Sequence, residues 1–180
     1  LPDVLRSSDF DVQCVISQSK SHVFVYEVSG SNENLIVGGL AVDIGTTSVA
    51  AVIVDMTNGK ILAKASTGNG QIRYGADVIN RIIESTKPGG QKRLQDAIVS
   101  ETLNPLIQQM CRAAGISPRH IFRLAVAGNA TMNHLLMGIN ADPLRMEPYI
   151  PAFFKTNSFY ASDIHLNVHP DAHIIMAPNI

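Results

Sequence analysis

The sequence predicts an α/β domain built on a mixed sheet, and three observations lead to that class. Apolar runs of strand length at 40–42, 49–54 and 60–66 follow one another closely, as in a three-stranded antiparallel meander. Beyond the meander the pattern alternates helix, strand, helix, strand, which builds parallel neighbours into the same sheet. The 180 residues are 46% hydrophobic and 16% charged, enough for a packed core and too apolar for a disordered chain.

The same composition excludes several functions. A net charge of −1 gives no basis for a nucleic-acid surface. The longest apolar stretches are broken by Gly, Thr or Asp well short of a membrane span. The first six residues, Leu1-Pro-Asp-Val-Leu-Arg6, lack the basic and apolar regions of a signal peptide, and the missing methionine leads us to expect a longer parent chain. Cys14 and Cys111 stand far apart with no Cys-x-x-Cys spacing, so neither a disulfide framework nor an iron–sulfur cluster held by this chain alone is expected. A reduced, cytoplasmic protein with two buried thiols is the expectation.

Taken in order, residues 11–17 and 22–28 are β-like and flank polar Gln18–Ser21, which predicts a hairpin. The turn-rich stretch 29–34 reads as a linker, so we divide the chain into a short β segment, 1–34, and the α/β domain, 35–180. Valine and isoleucine dominate the first two strands of the meander, as in buried strands, and Asn58-Gly59 is a strong hairpin signal before the third. A glycine-rich loop follows at 67–70 and 74–75. Residues 77–84 pair apolar side chains four apart, which predicts an amphipathic helix ending near Lys87–Gly90. A longer helix is predicted over 91–114, with Leu103, Leu106, Ile107, Met110, Ala113 and Ala114 on its buried face and Gly115 at its end. Pro105 within it predicts a kink, or a restart capped by Asn104. Residues 121–127 read as a buried strand, Gly128-Asn129 as its turn, 130–137 as a short helix, 138–170 as mostly loop with three prolines, and 172–177 as a last strand.

The turn Asp43-Ile-Gly-Thr-Thr-Ser48 between the first two strands carries the chemistry. Gly45 permits a tight bend and close approach of a ligand. The successive N–H groups of Gly45, Thr46 and Thr47 form a cradle for an anion, with the hydroxyls of Thr46, Thr47 and Ser48 adding donors. Asp43, at a strand end, suits Mg²⁺ held through water. The plainer alternative is a hairpin whose turn happens to be Gly-Thr-Thr. Gly128, Asn129 and Thr131 follow a central strand, where open sheets place ligands. There Asn129 and Thr131 bond phosphate or an attacking water, or Asn129 simply caps the next helix. Asp77 either orients water or Mg²⁺ or favours a helix macrodipole. Asp55 reads as a turn residue. His165, His169 and His173 are spaced four apart, but Pro170 and the strand-like tail argue against a helical metal site.

The hairpin resembles the first phosphate motif of the acetate and sugar kinase, heat-shock chaperone and actin superfamily. Leu40–Asp55, Asn69 with Gln71, Tyr74-Gly-Ala-Asp-Val-Ile-Asn-Arg-Ile82, Ala125-Val-Ala-Gly-Asn-Ala-Thr-Met132 and Leu166–Asn179 together resemble ATP-dependent reductive activators of corrinoid proteins, over about 36–180. That resemblance implies a ribonuclease-H-like, actin-like ATPase lobe, incomplete at its C-terminus because the usual closing helix is missing. Residues 1–34 are then the tail of a middle domain. MgATP is the implied cofactor, bound through its β- and γ-phosphates. A corrinoid protein, a second ATPase lobe and a ferredoxin-like domain are the implied partners, the last carrying an iron–sulfur cluster outside this chain. The implied reaction returns oxidised cob(II)amide to cob(I)amide, and efficient hydrolysis by this chain alone is not expected. A small-molecule kinase of the same superfamily, for a sugar or an acid, and a non-catalytic docking or actin-like module are the alternatives.

Overall fold

A computed structural model describes residues 1–18, 23–156 and 159–179. The chain forms two compact units, Leu1–Val37 and Gly38–Ile180. None of the described helices is long and apolar enough to cross a membrane.

The first unit holds a helix that the sequence pattern did not announce, α1 (Pro2–Ser7), and two antiparallel strands, β1 (Val12–Gln18) and β2 (Val23–Gly30). Pro2 opens the helix, where its missing N–H loses nothing, and Asp3 and Arg6 sit at the ends that the macrodipole favours. Most of the polar turn expected between the strands, residues 19–21, lies outside the described residues. Side chains alternate across β1, so buried Val15 leaves Cys14 facing outward. The expectation of two buried thiols is corrected: only Cys111 is buried, and burial pushes its thiol up to about 11.

The second unit begins with the expected meander, β3 (Gly38–Ile44), β4 (Ser48–Asp55) and β5 (Ile61–Gly68). Helices α2 (Val78–Ser85), α3 (Gly90–Ile98) and α4 (Asn104–Ala114) follow, then β6 (Ile121–Gly128), α5 (Ala130–Met137), the short β7 (Phe159–Tyr160) and β8 (His173–Met176). The sheet order is β5-β4-β3-β6-β8-β7. Pairs β3–β6 and β6–β8 are parallel, and the remaining pairs are antiparallel. Two-residue β7 falls within the stretch expected to be mostly loop.

Alternation along the strands sets where the core lies. Leu40 and Val42 pair with Ile53 and Ala51 on one side and with Leu124 and Val126 on the other, all buried. These side chains join Ile82, Leu94, Ile98, Ile107 and Leu135 of the helices in one apolar cluster. The opposite sheet face presents Ala41, Asp43, Ala50, Ala125, Ala127 and Ile175, all exposed. The strands are therefore buried on one face rather than on both.

Between α3 and α4 the helix runs on without a break through a π-helical segment, Val99–Leu103. Pro105 has no N–H to return to the preceding turn, and the widened turn before it accommodates that loss. Thr102 Oγ1 donates to the Ala97 carbonyl at 2.7 Å across this turn. Asn104 does not cap a restart: its Oδ1 accepts from Asn167 N at 2.8 Å and its Nδ2 donates to the His165 carbonyl at 3.2 Å. Leu103, Leu106, Ile107 and Met110 are buried as expected, whereas Ala113 is exposed and Cys111 is buried in the last turn. Gly115 ends α4 at φ 67°, as its sequence position suggests. Asp55 is a turn residue: the Thr57 hydroxyl and N–H, with Asn58, hydrogen-bond its carboxyl and hold it below the usual carboxylate range.

Candidate functional site

β3 and β4 meet in register at Ile44 and Val49, so the connecting bend contains little more than Thr46 and Thr47. Gly45 N–H donates to the Ser48 carbonyl at 2.9 Å and closes it. A Cβ on Gly45 would lie 2.7 Å from that oxygen, so glycine is required by space. This bond also corrects the expected cradle of three amides, because the Gly45 N–H is already used. Neither threonine takes the positive φ that two-residue hairpins favour. Donors outside the bend therefore hold its shape.

Three carbonyls of the bend are bound from behind. Gly45 O accepts from Asn69 Nδ2 at 2.8 Å, Thr46 O from Arg81 Nη2 at 2.6 Å, and Thr47 O from Asn69 N at 2.9 Å. A trans peptide points its N–H opposite to its C=O, so pinning these oxygens inward turns the next amides outward. Among the described residues, the N–H groups of Thr46 and Thr47 have no acceptor. Thr46 is half-buried, while Thr47, Ser48 and Asp43 are exposed. Ser48 begins β4 opposite Gly68 and supplies the carbonyl that closes the bend.

Gly128 ends β6 beside Ile44 in parallel register, and a Cβ there would lie 3.1 Å from the Ile44 carbonyl. Asn129 is the helix cap that one of its sequence readings describes, and it also reaches the bend. Its Oδ1 accepts from Met132 N at 2.9 Å and caps α5, while its Nδ2 donates to Thr46 Oγ1 at 3.3 Å. Thr131 lies in the first turn of α5 and is largely buried. Asp43, the bend, Gly128 and Asn129 are thus gathered at the carboxyl ends of β3 and β6. Asp77 is the N-cap of α2, its two carboxylate oxygens accepting from Asn80 N and Nδ2, each at 2.8 Å.

Three supporting residues were missed by sequence reasoning: Asn69, Gln71 and Arg81. Asn69, 1% exposed, caps the turn Gly70–Tyr74 through Oδ1 as well as holding the bend. Gln71 donates from Nε2 to the Leu94 carbonyl at 2.9 Å and accepts from Arg81 Nη1 at 3.3 Å. The pattern of α2 did not single out Arg81, which shares a stripe with Val78 and Ile82 beside a second stripe of equal regularity. Ile79 and Ile83, equally regular in spacing, face solvent instead.

Behind α5's cap lies His134, fully buried. Its Nδ1 donates to the Ala130 carbonyl at 2.7 Å, its Nε2 accepts from Ala152 N at 3.0 Å, and its ring stacks on Phe153. Burial holds the imidazole below its usual range although the Ala130 bond opposes that shift. His173 is pushed the same way by burial and by Arg123. The neutral rings therefore favour folding at and above neutral pH. As pH falls below about 6.5, the unfolded chain takes up protons that the folded rings resist, and stability drops toward the folded pKa values. Chemical denaturation should show lower stability at pH 5 than at pH 7, with a shallower pH dependence in His134→Gln. An unaltered slope in that variant would contradict the assignment.

Parallel β3, β6 and β8 flanked by antiparallel β4 and β5, with a polar hairpin at the strand ends, define a ribonuclease-H-like lobe. A family model described as the RACo middle region matches residues 38–180, and the chain belongs to that family. It is similar to the corrinoid activation enzyme RamQ of Eubacterium limosum, 35% identical over 141 residues, which are 78% of this chain and 24% of that protein. A solved structure of a reductive activator for corrinoid, iron–sulfur protein is 35% identical, with a TM-score of 0.87 over 100% of this chain and 29% of that one. The chain thus spans roughly a quarter of the length of these relatives.

Proposed function

We propose that this chain is the part of an ATP-dependent reductive activator of corrinoid proteins that holds the β- and γ-phosphates of MgATP. The observation that carries this reading is the bend whose carbonyls are bound inward by Asn69 and Arg81, freeing the Thr46 and Thr47 N–H groups. Two outward amides, the threonine hydroxyls and an exposed carboxylate at Asp43 suit a magnesium polyphosphate. The relatives' names supply the corrinoid substrate class.

In this reading Thr46 and Thr47 donate to phosphate oxygens as charge develops on them, the main task of a phosphoryl-transfer site. Asp43 accepts hydrogen bonds from magnesium-bound water, and Asn129 fixes the Thr46 hydroxyl. When bound, MgATP supplies the phosphoanhydride whose hydrolysis relaxes closure between Gly38–Ile180 and a second lobe. The preceding segment joins this lobe to the rest of the parent chain, in which a ferredoxin-like domain carries the iron–sulfur cluster that delivers the electron to cob(II)amide. In the full-length cytoplasmic protein, Asp43→Asn should weaken MgATP binding by about tenfold or more, as for loss of a charged hydrogen-bond partner. Isothermal titration with and without Mg²⁺, alongside ATP turnover, checks this; unchanged affinity and turnover would remove the site.

A further inference from the structure

We infer that Arg81 is the positioning residue of the phosphate hairpin: by gripping the Thr46 carbonyl it aims the Thr47 N–H at a polyphosphate. This rests on the reading of the hairpin as a phosphate site and adds the residue that shapes it. Arg81 is 0% exposed, among the largest fully buried side chains in the protein. Its Nε donates to the Gly75 carbonyl at 2.8 Å, Nη1 approaches Gln71 Oε1 at 3.3 Å and Met132 Sδ at 3.4 Å, and Nη2 donates to Thr46 O at 2.6 Å.

None of the ion pairs among the described residues includes Arg81. The charge that acts on it, Asp77, spends both carboxylate oxygens on Asn80. Burying a guanidinium without an ion pair is expensive, and an apolar side chain beside Ile82 on α2 would avoid that cost. Packing alone therefore gives no reason for arginine here. A planar fork of five donors does, because one side chain ties α2, the Gly70–Tyr74 turn and the hairpin together.

The surrounding residues serve the same geometry. A Cβ on Gly75 would lie 2.7 Å from Arg81 N, so glycine lets this carbonyl reach the guanidinium. Asn69 holds the two flanking carbonyls, of Gly45 and Thr47. Arg81 thereby controls the central peptide, that between Thr46 and Thr47. Because that peptide is planar, a cation on its oxygen orients its N–H outward and polarises it toward an anion. Arg81 thus acts on the phosphate through one peptide group, without touching it.

The test uses the full-length protein, with MgATP and adenosine as probes. Arg81→Met and Arg81→Lys should each raise the Kd for MgATP by about tenfold to a hundredfold, since a lone ammonium cannot span the same acceptors. Adenosine affinity should stay at the wild-type value, which a general loss of structure would not allow. Either variant binding MgATP within about twofold of wild type, or losing both probes equally, would overturn the inference. Asp43→Asn, measured alongside, separates the two claims: if it weakens MgATP binding while the Arg81 variants do not, the site stands and Arg81's role falls. Should the variants fail to fold, the wild-type protein decides by hydrogen exchange. The Arg81 guanidinium protons should be protected with and without nucleotide, and the Thr47 amide only with MgATP. A Thr47 amide already protected without nucleotide would overturn the proposal.

Discussion

Gly90→Ala should destabilise the second unit by about 3 kcal/mol, near the top of the range for overpacking, because neither partner in the clash can move alone. A Cβ at Gly90 would lie 1.9 Å from the Glu84 carbonyl and 3.2 Å from Ser85 Cα. Both are backbone atoms at the end of α2, which the start of α3 crosses closely. The corner is fixed further by Glu84, whose carboxylate meets Lys87 at 2.6 Å and Arg93 at 2.7 Å; both hold it below its usual range. Chemical denaturation measures the loss. Gly59→Ala, at a turn with nothing within 4 Å of the added carbon, is the control, since it adds only a positive-φ penalty of about 1 kcal/mol. Equal losses at the two positions would show that α2 and α3 do not meet as described.

Gly45→Ala should leave the protein folded and reduce MgATP affinity by about tenfold to a hundredfold, the loss expected when a hydrogen bond to a charged group is broken. The new Cβ, 2.7 Å from the Ser48 carbonyl, would force the Gly45–Ser48 closure apart. Thr46 and Thr47 would move with it, while Asn69 and Arg81 continue to pull on their carbonyls. Titration of the full-length protein with MgATP, beside a thermal melt, reads both quantities. Wild-type affinity in a folded Gly45→Ala protein would mean that the bend does not hold phosphate.

Much of the fold could be read from the chain because side-chain alternation and turn residues act locally. Leu40-Ala-Val-Asp-Ile44 shows its buried face directly, and Gly115 ends a helix by backbone conformation alone. The hairpin Asp43–Ser48 was legible for the same reason, as was Asn129 at the head of α5. What escaped depends on partners far apart in sequence. Asn69 and Arg81 matter because they reach back 24 and 35 residues to the carbonyls of Gly45 and Thr46. No periodicity reports such a bond. Asn104 was misread because capping is a local rule, while its actual partners lie beyond residue 160. α2 offered two equally regular apolar stripes, and only tertiary packing chose the one containing arginine.

The widened turn at Val99–Leu103 has a consequence for how the long helix meets its neighbours. Its buried residues Leu94, Ile98, Leu103, Ile107 and Cys111 advance in steps of four, except for one step of five at the π segment. On a uniform helix that longer stride would swing Leu103 about 140° away from Ile98, into solvent. The extra residue in the widened turn takes up part of that rotation, so Leu103 remains on the buried side with Ile98. The chain thereby gains a single long rod whose two ends satisfy separate packing demands without a break between them.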